Sequence, residues 1–249
     1  MAEPDTMDRI APTRRPPGRP VMYQRWRTLL FLHWELPAQV LAPLLPPGLT
    51  LDTYEGRAFV GLVPFTMRGV RPAGLPAFSP LSDFHETNVR TYVHHEGKDP
   101  GVWFFSLDAA SRIAVKLARA WFKLPYYFAR MELKQEGPWV SYHSERQWPA
   151  PVPARCSVRC APAGEAASST PGTLQHFLVE RYFLYTVHGG GLWRGQVHHT
   201  PYPVRGAQVE GLDESLLSAA GLARPLSAPL VHFSEGVDVD VFRLTRVSG

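Results

Sequence analysis

The chain has 249 residues, 45% hydrophobic and 12% aromatic, with 26 Lys+Arg against 22 Asp+Glu. That much apolar content offsets ordering entropy and excludes disorder for most of the chain, and no repeat of roughly 20–50 residues appears, which excludes collagen-like and solenoid folds. No apolar run approaches the roughly 18 residues of a membrane span, and the net charge of +4 contains no Lys/Arg block, so neither membrane nor nucleic acid is expected as a partner.

Residues 1–20 hold Pro12, Pro16, Pro17 and Pro20 with almost no apolar periodicity and read as a flexible Pro-rich tail. They lack the apolar core of a secretory signal, and with only two cysteines in the chain the expectation is a soluble protein in a reducing cytoplasm. From Val21 the pattern turns extended. Trp26, Thr28, Leu30, Leu32 and Trp34 alternate with Arg27, Leu29, Phe31, His33 and Glu35, as a strand requires. A short helix is expected over residues 37–45. A hairpin of residues 49–54 and 57–67 then turns about Glu55-Gly56. After a Gly/Pro-rich loop at 69–80 come strands over 84–95 and 101–107.

The clearest helix spans residues 110–124. Ile113, Leu117, Ala120, Trp121 and Leu124 form its apolar face, Arg112, Lys116, Arg119 and Lys123 form the opposite stripe, and Pro125 ends it. Strands follow at 127–134, 139–146 and 154–161. A helix at 173–180 comes after the Ser/Pro/Gly-rich stretch 164–172, then strands at 181–187, 192–199 and 207–209, a short helix at 214–220 and a closing strand at 237–247. About ten strands with two or three helices and no βαβ alternation predict one α+β domain over residues 21–249, a mostly antiparallel, curved, barrel-like sheet with flanking helices.

Cys156 and Cys160 are four strand residues apart, about 13 Å, too far to bridge, and read as buried thiols. No Cys/His set has zinc spacing, Gly189-Gly190-Gly191 lacks a phosphate-loop ending, and no Gly-x-Ser-x-Gly elbow occurs, so no metal or cofactor is expected. The strand from Glu86 to His94 says more. One face carries Glu86, Asn88, Arg90, Tyr92 and His94; the other carries Thr87, Val89, Thr91 and Val93. The first face fits either a polar pocket for a small ligand or a solvated sheet surface with cross-strand pairs.

Several blocks together tip that balance: Phe31-Leu32-His33-Trp34-Glu35, Leu45-Pro46-Pro47-Gly48-Leu49, Gly61-Leu62-Val63-Pro64-Phe65, the strand 86–93, 101–108, Leu124-Pro125-Tyr126-Tyr127 and His199-Thr200-Pro201-Tyr202-Pro203. From about residue 21 onward the chain resembles a YqjF-like family of uncharacterised bacterial proteins within the acetoacetate decarboxylase-like superfamily. The resemblance implies a curved sheet around a pocket. It also implies a Schiff-base lysine in a Pro-Lys-Lys-x-Ala segment, whose counterpart here is Pro125-Tyr126-Tyr127-Phe128-Ala129. Tyr126 stands at the nucleophile position and cannot form an imine, so acetoacetate decarboxylase chemistry is rejected. A pocket role for Glu86 carries over from the family; Arg90 rests on strand alternation alone.

The expected function is therefore the binding of a small organic ligand with a carbonyl or carboxylate group. Glu86 and Tyr126 are the catalytic candidates for acid/base chemistry of a lyase or hydratase type, and Arg90, Asn88 and His33 the ligand-binding candidates. Two alternatives stand beside it: a non-catalytic carrier or sensor walled by Trp34, Trp103, Phe104 and Phe65, and a protein-binding scaffold using the Pro-rich tail. Turnover and assembly into a homo-oligomer are left open.

Overall fold

The computed structural model describes residues 7–79, 81–149 and 153–247. Its logic is visible in the first strand, β1 (Met22–Leu36): Leu29 and Phe31 enter one core cluster, while Leu30, Leu32, Trp34 and Leu36 enter another. Alternate side chains of one strand thus feed two cores. The short helix α1 (Ala38–Leu41) follows, continued by one 3-10 turn. Next come β2 (Thr50–Leu51), β3 (Ala58–Pro72), β4 (Phe84–His95), β5 (Lys98–Ala109) and α2 (Arg112–Trp121). The chain continues through β6 (Tyr126–Glu136), β7 (Trp139–Trp148), β8 (Arg155–Ser168), α3 (Leu174–Val179), β9 (Phe183–His188) and β10 (Gly191–His198). It closes with β11 (Pro203–Glu214), α4 (Leu216–Ala219), β12 (Leu230–Val241) and β13 (Thr245–Arg246).

The expected α+β class holds: one large, curved, mostly antiparallel sheet carries small flanking helices. Nine strands hydrogen-bond in a ring, β4-β5-β6-β7-β8-β11-β12-β1-β3. A second closure runs β5-β9-β10-β12-β1-β3-β4, using the parallel pair β5–β9 and the contact β10–β12. Five strands belong to both rings. The nine-strand ring surrounds Leu30, Leu32, Val60, Val89, Tyr142, Val158 and Phe233. Cys156 and Cys160 are buried there as free thiols, as expected.

Tight curvature needs a bend in β1, which comes at Thr28, φ 54, where the β1–β3 register slips. The Tyr142 hydroxyl donates to the Thr28 carbonyl at 2.5 Å, holding this unusual backbone in place. Opposite the bend, Gly236 has φ 130, and a Cβ there would lie 1.9 Å from the Trp26 carbonyl oxygen. Only glycine fits.

Several elements differ from expectation. The Glu55-Gly56 turn forms, both residues left-handed, but it closes a single bridge between Tyr54 and Arg57. Residues 50–51 pair with His94 and Val93 of β4, because β1 and β4 already occupy both edges of β3. The loop expected at 69–80 begins later, since β3 runs to Pro72. The Ser/Pro/Gly-rich stretch is strand as far as Ser168, and the closing strand expected at 237–247 is instead β12 at Leu230–Val241 followed by the two-residue β13. In α2 the buried residue is Val115, whereas Ile113, Leu117 and Trp121 are 50%, 57% and 61% exposed. The amphipathic pattern holds, but much of the apolar face borders an opening instead of a core. Within the tail, residues 7–20 lie against the body. Arg9 pairs with Asp52, Arg15 pairs with Asp240, and Gln196 donates to the Pro12 and Arg14 carbonyls. Residues 1–6 lie outside the described residues.

Candidate functional site

The second ring is hollow. It encloses a cavity of about 360 Å³ to which all seven of its strands contribute side chains, together with α2, Tyr126 and the residues around Arg181. That size suits a small organic ligand. Position along β4 sets depth: Phe84 is near the opening, Glu86 and Asn88 are halfway, and Arg90 is on the floor, because alternate residues of a strand share a face. The opposite β4 face carries Thr87, Val89, Thr91 and Val93, as read from the sequence.

Halfway down, Glu86 is 2% exposed. Tyr126, just past α2, donates its hydroxyl proton to Glu86 Oε2 at 2.9 Å, and the Asn88 side chain hydrogen-bonds the same carboxyl. Burial, reinforced by the nearby Asp108 charge, lifts the Glu86 carboxyl to about 8, with the Tyr126 and Asn88 bonds pulling the other way. Glu86 is therefore mostly a neutral acid at pH 7. Burial and the Glu86 carboxyl push the Tyr126 hydroxyl well above its usual range, so it is a fixed proton donor. Asn88 Oδ1 is buried without a partner.

On the floor, Arg90 is 9% exposed and lies 5.7 and 5.8 Å from the ring centres of Phe31 and Tyr92. Its Nη2 donates to the Leu178 carbonyl at 3.1 Å, Nε is buried without a partner, and among the described residues no carboxylate pairs with it. Beside it stands Arg181, which the sequence reading missed. Arg181 donates to Asp52 Oδ2 at 2.6 Å and to the Phe177 carbonyl at 2.8 Å, leaving Nη2 unpartnered. The only hint was a charged pair, Glu180-Arg181, inside the apolar run from Phe177 to Phe183. Glu180 is engaged by the Tyr182 hydroxyl at 2.7 Å and the Tyr202 amide at 2.9 Å.

His33 does not line the cavity. It sits behind the floor, with Nε2 2.6 Å from the Tyr92 hydroxyl, whose own proton goes to the Leu178 carbonyl at 2.7 Å. The imidazole therefore supplies the hydrogen to Tyr92, as the Nε2–H tautomer. Burial and the Arg90 charge hold its pKa well below the usual value, so it is neutral. Its place is support for the Arg90 neighbourhood. Among the proposed carrier walls, Phe65 and Phe104 face the cavity, Trp34 belongs to the opposite core, and Trp103 packs against the cluster of Val93, Phe183 and Tyr185. All four lysines, Lys98, Lys116, Lys123 and Lys134, are exposed, and none lines the cavity. No amine is available there for an imine. Among the described residues, no group of three His, Cys, Asp or Glu is placed to hold a metal, and no helix is long and apolar enough to cross a membrane.

Comparison with known proteins agrees with this architecture. Residues 23–238 match the DUF2071 family, described as an uncharacterized conserved protein. The uncharacterized protein YqjF of Bacillus subtilis (strain 168) is 36% identical over 233 residues, 94% of this chain and 95% of that protein. Among solved structures, the enduracididine biosynthesis enzyme MppR complexed with pyruvate superposes with a TM-score of 0.62 at 12% identity, covering 93% of this chain and 92% of that one. An acetoacetate decarboxylase from Legionella pneumophila gives 0.60 at 13% identity, covering 94% and 92%. At such identities the two structures establish the fold alone. With the family model and the relative matching nearly the whole folded body, the chain is a member of the YqjF-like DUF2071 family, built on the acetoacetate decarboxylase-like fold.

Proposed function

We propose that the protein binds a small carbonyl or carboxylate compound in this cavity and performs acid/base chemistry on it, of the kind that adds or removes water. The observation that carries the reading is the Glu86–Tyr126 pair, a neutral carboxylic acid and a fixed proton donor buried halfway down the cavity. Glu86 begins as the acid. After giving its proton to a departing hydroxyl it is a carboxylate able to take one from an adjacent carbon, so one residue serves both halves of an elimination. Tyr126, whose hydroxyl donates to Glu86 at rest, turns that same hydrogen bond to an oxygen developing charge beside the pair. Arg90 pairs with the anionic group, and Asn88 Oδ1 accepts from a ligand hydroxyl.

The test is mass spectrometry of the purified protein under native and denaturing conditions, followed by turnover assays on whichever compound is retained. A retained carbonyl or carboxylate compound, turned over by wild type and at least 100-fold more slowly by a folded Glu86→Gln variant, is the expected result. Full activity in that variant removes Glu86 from the mechanism. A second reading, a non-catalytic carrier, draws on the apolar walls Phe31, Phe65, Val102 and Phe104. Retention without turnover, indifferent to Glu86→Gln, selects it.

A further inference from the structure

Resting on that reading of the cavity, we propose that its ligand is an amphipathic monocarboxylate, bound with its carboxylate inward on Arg90 and a long apolar chain running past Glu86 to the mouth.

Charge decides the inner end. Arg90 and Arg181 both face the cavity floor, and Asp52, the ion-pair partner of Arg181, lies behind it and is shared with Arg9. Arg90 is left as a nearly buried guanidinium without an acid partner among the described residues. A buried cation of this kind calls for an anion. The Glu86 carboxyl, mostly neutral at pH 7, does not supply it.

Length and polarity decide the outer end. From Arg90 to Phe84 is six strand residues, about 20 Å, so a short acid held on Arg90 leaves the outer half of the cavity empty. From Met22, Met67 and Phe84 to the mouth the lining is mainly apolar, and its polar members Gln24 and Ser82 already accept hydrogen bonds from Trp26 Nε1 and the Phe78 amide. The rim is apolar and open. Ile113, Leu117 and Trp121 of α2 face Leu75, Phe78 and Leu81 across it, with Phe78 68% and Trp121 61% exposed. A contiguous exposed apolar rim around a cavity marks an entrance for an apolar chain. The two ends together select an amphiphile rather than a small keto acid or a neutral lipid.

Calorimetric titration of the full chain with decanoate, butyrate and 1-decanol, below micelle-forming concentrations at pH 7, tests this. Decanoate is expected to bind at least 30-fold tighter than butyrate through the extra methylenes, and at least tenfold tighter than 1-decanol, which offers Arg90 no charge. Arg90→Gln should erase the advantage of acid over alcohol. Leu117→Glu, on an exposed helix face and so neutral for folding, should lower the decanoate-to-butyrate ratio at least fivefold. Equal binding of decanoate and butyrate, equal binding of acid and alcohol, or no binding of any of the three overturns the proposal. The Glu86 reading fails separately, when Glu86→Gln leaves turnover of a bound compound untouched while the chain-length and head-group preferences remain.

Discussion

Glu86 lines the cavity and Asp52 lies behind its floor, paired with the cavity-lining Arg181; each is 2% exposed, yet one is mostly neutral and the other ionised. Burial pushes both carboxyls upward. At Asp52 the guanidiniums of Arg181 and Arg9, at 2.6 and 2.5 Å, outweigh it and hold the group below its usual value. At Glu86 the partners are a phenol and an amide, which oppose burial too weakly, and the carboxyl stays at about 8. The chemistry of the partner, not the degree of burial, sets the charge. One end of the cavity is therefore an ion-pair network that holds structure, and the middle is an uncharged acid poised to exchange a proton.

The contrast can be broken most severely at Asp52. Asp52→Asn removes the carboxylate between Arg9 and Arg181 and leaves the Arg181 charge buried and uncompensated. The expected loss is about 3–5 kcal/mol of unfolding free energy, read from urea titration at pH 7. A loss below roughly 1 kcal/mol, the range of exposed pairs, would show that Asp52 is not the counter-ion described.

The pH dependence sharpens the comparison, because the two acids act in opposite directions. A raised carboxyl binds its proton more tightly in the folded state, so its contribution is full below the ordinary 4.5 and falls as pH rises toward about 8. Between pH 6 and pH 9 wild type should lose about 3 kcal/mol through Glu86, and Glu86→Gln should flatten that slope. Asp52, held low, contributes above its ordinary pKa of 3.8, and that stability disappears only as pH falls through its lower folded value. Stability curves of wild type and Glu86→Gln that run parallel to pH 9 would refute the assignment.

Tyr126→Phe makes a smaller change. Losing the 2.9 Å bond to Glu86 should lower stability by about 1 kcal/mol. It should also move the alkaline decline upward in pH, since that bond favours the ionised carboxylate. The smallest effect belongs to the rim: Leu117→Ser, on the outer face of α2, should alter thermal stability by no more than about 0.5 kcal/mol.

Local pattern carried much of this structure into view. Period-two alternation placed Glu86, Asn88 and Arg90 on one face of β4, and the substituted Pro-Lys-Lys segment directed attention to Tyr126, which does meet Glu86. What the sequence could not express was which distant segments meet. The partner of residues 50–51 depended on both edges of β3 being taken. The apolar face of α2 looked like a core face because periodicity records amphipathicity without saying whether a wall or an opening lies opposite. Arg181 and Asp52 are 129 residues apart, and nothing local to either announces the pair. His33, adjacent in pattern to the site residues, proved to stand one layer behind them.

The sharing of five strands between the two rings has a consequence for how the molecule comes apart. Loosening β1 would expose the packed aliphatic core and open the ligand chamber together, since its side chains alternate between them. Independent subdomain melting is thereby disfavoured, and the amides of Leu32 and His33, in the segment of β1 paired with both β3 and β12, should exchange with solvent only through global opening. Whatever the chamber admits then passes its apolar rim while the shared sheet stays intact, so entry and unfolding are separate events.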